Sequence, residues 1–233
     1  MLFNSINMED ATIAPSSRMT GEGNQSLHNN TSNATCRASQ RKKTMTRSSS
    51  SQFVPKPAIV LDLDDTLVHV SPIKPKTSDF TTICVRRRRL YVQSRPNLRQ
   101  FINRLSKHYD IFIFTAAAKD YANSIVDKLM PEIHSCRRLF RDSCTNMNGY
   151  SVKDLKKLRR PLSQTLLVDD IAGSALQNPD NLIRIEPWSG EKCDDALVGE
   201  LMPVLERIAY EKDIGAAYKE VLKQRKFQNI STF

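Results

Sequence analysis

Short apolar runs recur along the chain after Pro57, and polar residues follow each of them. Ala58–Leu63 reads as a buried parallel strand. Leu98, Phe101, Ile102 and Leu105 stand at i, i+3, i+4 and i+7, which predicts an amphipathic helix starting near Pro96. Ile111–Phe114 predicts a second buried strand, and Lys119–Leu129 a second helix ending at Pro131. Leu139-Phe140 reads as a short strand, Thr165–Val168 as a third clear strand and Leu182–Ile185 as a fourth. Asp194–Ile208 and Ala216–Lys226 read as terminal helices. Strands alternating with helices predict an α/β fold with a mostly parallel sheet.

The texture before Pro55 is different. Residues 1–53 are rich in Ser, Thr and Asn and lack apolar periodicity. Such a segment cannot bury enough surface to offset its ordering entropy, so a disordered tail is expected there, with one folded domain over 54–233. The tail's basic residues cluster at Arg41-Lys42-Lys43 and Arg47. A solvated patch, a nuclear address and a site for a basophilic kinase are all open readings of that cluster.

The whole chain of 233 residues carries 35 Lys and Arg against 25 Asp and Glu, a formal charge of +10. That excludes an acidic solvating protein and favours polyanionic or phosphorylated partners. No apolar run approaches the ~20 residues of a membrane span, and no secretory signal is expected. The five cysteines are odd in number and form no Cys-x-x-Cys pair, so reduced thiols in nucleus or cytoplasm are expected.

Carboxylates follow the strands in a telling way. Ile59-Val60-Leu61 leads into Asp62, Asp64, Asp65 and Thr66. Ile111–Phe114 leads into Thr115, and Leu166-Leu167-Val168 into Asp169-Asp170. Ligands of open α/β sheets bind outside the carboxyl ends of the strands, so parallel neighbouring strands would bring these residues to one edge. Two unit charges about 4 Å apart repel by roughly 4 kcal/mol at an effective dielectric near 20. Protonation or a cation must relieve such a cluster, and a small set of oxygen ligands suits Mg²⁺ with a phosphate oxygen. Extended residues i and i+2 point the same way, roughly 7 Å apart. Asp62 can therefore attack phosphorus while Asp64 reaches the leaving oxygen. Lys153 is the candidate for neutralising the phosphoryl oxygens.

The string Leu61-Asp62-Leu63-Asp64-Asp65-Thr66-Leu67 resembles the first motif of the haloacid dehalogenase superfamily in its phosphatase form. Phe114-Thr115-Ala116 with Tyr121-Ala122 is similar to the second motif of the branch acting on the C-terminal domain of RNA polymerase II. Leu139–Cys144, then Tyr150, Lys153, Asp154 and Leu155, also resemble that branch. Val168-Asp169-Asp170, Ser174, Asn178–Asn181 and Pro187-Trp188 complete the pattern of the small C-terminal-domain phosphatases, the FCP-type branch. The resemblance runs from about Pro57 to about Ala209.

It implies a Rossmann-like sheet with helices on both faces and a small β insertion over about 68–94. It implies a Mg²⁺-dependent protein serine/threonine phosphatase acting on phosphoserine in Ser-Pro peptides. Asp62 would be the nucleophile and Asp64 the general acid/base. Asp62, the main chain of Asp64, and Asp170 would hold Mg²⁺. Thr115 and Lys153 would bind the phosphoryl group, with Asp169 and Thr66 in support. A phosphoprotein substrate, no direct nucleic acid and a monomer are expected. The rival expectation is a binding module like the mitochondrial presequence-translocase receptor, which shares the domain.

This chain departs from the family in three places. Asp169-Asp170 stands where Asp-Asn is usual, Ile171-Ala172-Gly173 replaces the usual Ser-Pro, and Ser189 follows Trp188. Within the insertion lies Arg86-Arg87-Arg88-Arg89. Charge that protects a strand edge is one reading, and reception of an acidic or multiply phosphorylated peptide is the other. Strand alternation would turn Arg86 and Arg88 to one face. Tyr91 and Trp188 read either as groove aromatics or as packing.

Overall fold

The computed structural model describes residues 55–230, with side chains to residue 224. The tail expected over 1–53, its basic cluster included, lies outside the described residues.

The first strand, β1 (Ala58–Leu61), leaves the sheet at Asp62, and a tight reversal returns the chain into β2 (Val68–Ser71). The reversal closes on one carbonyl: Leu67 N and Val68 N both donate to Leu63 O, at 2.9 and 3.1 Å. Asp65 sits within it at φ 57°, a left-handed conformation that Asp tolerates better than most residues. Then β3 (Thr81–Val85) and β4 (Arg88–Ser94) complete an antiparallel sheet of order β2-β4-β3. This is the expected insertion. Its Val68, Val70, Ile83 and Val92 point into the main core, so it is fused to the domain along one face.

Helix α1 (Leu98–His108) follows Pro96 and buries the four residues that its periodicity marks. Next come β5 (Asp110–Phe114), α2 (Lys119–Leu129) and the two-residue β6 (Arg138–Leu139). A hairpin of β7 (Thr145–Met147) and β8 (Tyr150–Val152) precedes β9 (Thr165–Asp169) and β10 (Leu182–Arg184). The terminal helices are α3 (Met202–Ile208) and α4 (Ile214–Ile230). The expected helix from Asp194 begins instead as a widened π-helical turn over Ala196–Leu201. In an unbroken α-helix the Pro203 ring would press on the carbonyl of Gly199, which explains the disturbance at that point.

The central sheet is parallel, in the order β10-β9-β1-β5-β6. Its side chains alternate between two cores. Ile59, Leu61, Ile111, Ile113, Leu166 and Val168 join α1, α2, α3 and the insertion. Ala58, Val60, Phe112, Phe114 and Leu167 face Leu155, Leu158, Leu162 and Ala175, carried by short helical turns. The strand order reverses about β1, because β5 lies on one side of it and β9 on the other. That reversal opens a crevice at the carboxyl ends of β1, β5 and β9.

Candidate active site

Each strand delivers its polar residue into that crevice. Asp62 extends β1 by one rung, its N–H donating to Val168 O at 3.0 Å. Thr115 extends β5, its N–H donating to Leu139 O at 3.1 Å. Asp169 closes β9. Lys153 arrives from β8, and its backbone is pinned by a 2.7 Å bond to Ser174 O.

The lysine is the hub. Its Nζ donates to Asp62 Oδ1 and to Asp169 Oδ2, both at 2.6 Å. Asp62, Lys153 and Asp169 are 7%, 2% and 0% exposed, so these are buried pairs whose loss would strand a charge. Asp169 also accepts from Ile171 N at 2.8 Å, which fixes the start of the following loop. Oxygens of Asp62, Asp169 and Asp170 lie within 4.8 Å of one another. Thr66 Oγ1 donates to Asp170 Oδ1 at 3.1 Å and ties the first loop to the last carboxylate.

Electrostatics follow from burial. Removal from water pushes the Asp62 carboxyl up to about 8, against the pull of Lys153 and with a push from Asp169. Burial also raises Asp170, and Asp169 adds to it. Burial alone would lower Lys153, but Asp62 and Asp169 outweigh it and hold the ammonium above its ordinary range. Three clustered carboxylates thus stand against one lysine, which pairs with Asp62 and Asp169, leaving two negative charges to neutralise when all are ionised. An all-oxygen donor set with that surplus fits one hard divalent cation such as Mg²⁺.

The acidic group differs from the expected metal set in one member. Asp169 takes part, whereas the Asp64 carboxylate turns away; its expected contribution is a main-chain oxygen. The Asp64 side chain instead accepts from Tyr121 Oη at 2.5 Å. Burial raises Asp64 to about 6, with the Tyr121 hydrogen bond opposing. The tyrosine is itself driven above its ordinary range by burial and by Asp64.

Sequence reasoning assigns no role to Tyr121, Arg95 or Asp194. Tyr121 follows Thr115 in the matched motif, and that proximity is the available signal. Arg95 is 2% exposed and grips Asp194 through two bonds, Nε to Oδ1 at 2.8 Å and Nη2 to Oδ2 at 2.7 Å. Its Nη1 donates to Thr66 O at 3.1 Å, so it braces the first loop from below. Arg95-Pro96 resembles the family's segment just before its first long helix, and only the fold reveals the arginine's partner 99 positions away.

The expected groove residues need correction. Arg86 and Arg88 do not share a strand face. Arg86 and Arg87 form the β3–β4 turn at φ 49° and 66°, and only Arg88 and Arg89 belong to β4. Trp188 is 3% exposed and has almost no surface for a peptide. Its backbone N–H donates to Asp65 O at 2.7 Å and its indole to Glu191 O at 2.8 Å, so it backs the first loop. Tyr91 is half-buried and meets Phe80 edge-on at 5.3 Å, inside the insertion.

The family model described as NLI interacting factor-like phosphatase matches residues 57–215. The chain belongs to this family. A Caenorhabditis elegans relative, CTD small phosphatase-like protein 3, is 38% identical over 175 residues, covering 73% of this chain and 60% of its own. Human CTD small phosphatase-like protein is 34% identical over 163 residues, covering 68% and 58%. The chain therefore spans less than two thirds of either relative. The solved structure of a fission yeast Fcp1 variant, an RNA polymerase II CTD phosphatase bound to beryllium fluoride, superposes with a TM-score of 0.50. That match is 20% identical and covers 73% of this chain and 56% of the other, which shows the shared fold. Among the described residues no helix is long and apolar enough to cross a membrane.

Proposed function

We propose that the chain is a Mg²⁺-dependent protein serine/threonine phosphatase working through an aspartyl-phosphate. The observation that carries this reading is the meeting of buried Asp62, Asp169 and Lys153 with half-buried Asp170 at the carboxyl ends of β1 and β9. Lys153 holds Asp62 Oδ1, which fixes the carboxylate's rotation and leaves its other oxygen for attack. That oxygen forms a bond to phosphorus as the bond to the serine oxygen breaks, and Asp64 gives its proton to the departing serine. Asp64, now a carboxylate, takes a proton from water. The hydroxide oxygen bonds to phosphorus, the Asp62–phosphorus bond breaks, and phosphate leaves. Lys153 and Thr115 bind the phosphoryl oxygens throughout. Asp62, Asp170 and the main chain of Asp64 would hold Mg²⁺, with Asp169 behind them. When bound, the ion neutralises charge on the phosphoryl group.

The substrate class we infer is phosphoserine in Ser-Pro peptides such as the RNA polymerase II C-terminal domain, encountered in nucleus or cytoplasm. The relatives' names support it, and burial that raises Asp64 toward neutrality supports its role as the proton donor. The presence of nucleophile, acid, lysine and threonine together supports catalysis over a binding module.

The test is hydrolysis of an aryl phosphate and of a Ser-Pro phosphopeptide by the wild type and Asp62→Asn, with Mg²⁺ and with chelator. Turnover should require the ion and fall by about three orders of magnitude or more in the variant. No turnover by folded, Mg²⁺-loaded wild type would overturn the reading in favour of a binding module.

A further inference from the structure

The β3–β4 hairpin tip is built from residues unsuited to its geometry. Both central positions of such a turn need left-handed backbone, which Asn and Gly supply readily and arginine does not. Arg86 and Arg87 nevertheless occupy them, and all four of Arg86 to Arg89 are exposed. Arginine suits the backbone of this turn less well than a smaller residue would. It contributes charge at a defined place.

That place is an open cleft of about 680 Å³ between the hairpin tip, the start of α2 and the turn at Arg141-Asp142. Arg86, Lys119, Asn123 and Arg141 line it together with Asp120 and Asp142. Arg86 reaches across to α2, with Nε 3.2 Å from Asp120 Oδ2. Both partners of that pair are about half exposed, so a doubly charged phosphate can displace the carboxylate. The cleft adjoins the chemistry. Arg141 is stitched to the residues that follow Thr115, its Nε donating to Ala116 O at 2.8 Å and its N–H to Ala117 O at 3.0 Å. Tyr121, next to Asp120, bonds the Asp64 carboxylate. Three cations, Arg86, Lys119 and Arg141, thus line the cleft against two carboxylates.

We propose that this cleft receives a second anionic group of the same substrate peptide whose phosphoserine is hydrolysed at Asp62. The chain then selects peptides carrying a phosphorylated or carboxylate side chain at a fixed distance from the scissile phosphoserine. The proposal rests on the phosphatase reading above.

The experiment uses the full chain and Ser-Pro phosphopeptides of equal length. One carries a single phosphoserine. The others add a second phosphoserine, or a glutamate, at successive positions on either side. At one spacing kcat/KM should rise about tenfold, mainly through KM, and more for phosphoserine than for glutamate. The advantage should shrink to about twofold in Arg86→Ala and in Lys119→Ala, and fade with added salt. Arg86→Gly, which relaxes the turn while removing the charge, should lose it equally, so a misshapen hairpin is not the cause. No spacing with an advantage beyond about twofold, while wild type hydrolyses the aryl phosphate, overturns the cleft and spares the phosphatase. So does an advantage that persists in Arg86→Ala. If wild type hydrolyses no aryl phosphate, the phosphatase reading falls, and equal affinity for singly and doubly phosphorylated peptides then overturns the cleft as well. A single-stranded oligonucleotide held more tightly than any acidic peptide, through the same arginine, overturns the peptide assignment.

Discussion

Two hairpins of this molecule share a backbone and differ in what their turns cost. In β7–β8 the chain reverses on Asn148-Gly149, at φ 53° and 79°. In β3–β4 it reverses on Arg86-Arg87, also at positive φ on both residues. Each return strand runs to a buried cation: β8 leads into Lys153, and β4 into Arg95. Lys153 meets two carboxylates of the crevice, whereas Arg95 meets Asp194 and the carbonyl of Thr66. The difference teaches where function and folding part. The Asn-Gly turn is the residue pair that the geometry asks for, and its work is done at the far end, at Lys153. The Arg-Arg turn goes against local preference by ~1 kcal/mol or more per residue. Strain of that kind points to a use at the tip itself.

The largest effect should come from the cation at the end of β8. Lys153→Met leaves Asp62 and Asp169 buried without their partner, and unfolding in urea with chelator should show a loss of about 3–5 kcal/mol. Turnover of an aryl phosphate should drop by about a thousandfold or more, because charge developing on the phosphoryl oxygens loses its fixed partner. A variant that is destabilised yet keeps a tenth of its turnover would make Lys153 a structural strut like Arg95, and the contrast between the two hairpins would collapse.

The cation at the end of β4 should matter less for chemistry and visibly for acid stability. Hydrogen bonds from Arg95 hold the Asp194 carboxyl below its ordinary range. A group depressed in the folded state adds stability above its unfolded value and loses it as pH falls through the folded value. Asp194→Asn should therefore cost about 2 kcal/mol near neutral pH, and the gap to wild type should hold down to about pH 5 and close below about pH 4. Unfolding at pH 7 and pH 3 checks this. A gap unchanged at pH 3 would mean that shape, not charge, carries the contribution.

Much of this arrangement is legible in the order of residues alone. The parallel strands announce themselves as apolar runs, and the polar residues ending each run share one crevice. Asp62, Asp169, Asp170 and Lys153 can be named together because strand order and residue chemistry agree there. The β7–β8 hairpin escapes a pattern reading although Asn148-Gly149 is the strongest short-range hairpin signal, because its flanking strands are only three residues each and mostly polar. Arg86 and Arg88 defeat the expectation of a shared face because strand alternation does not carry across a turn, and arginines give no reason to expect one. The Arg95–Asp194 pair and the Tyr121–Asp64 bond are illegible because long-range packing chooses such partners and no local pattern records them.

The smallest effects test the comparison most directly, because they touch only the turns. A Cβ at Gly149 would meet nothing within 4 Å, so Gly149→Ala reports on backbone alone. At φ 79° alanine is disfavoured, and the variant should lose about 1 kcal/mol. Arg87→Gly makes the reverse change at φ 66°. Relief of the left-handed penalty is partly offset by the greater freedom of glycine in the unfolded chain, which leaves a gain of about 0.5 kcal/mol. Denaturant midpoints at unchanged slope measure both. Opposite signs would establish that one hairpin has the turn its backbone favours and the other carries arginines against it. A loss in both would show that Arg87 makes a stabilising contact worth more than the strain, and the hairpin tip would then be explained by folding rather than by a ligand.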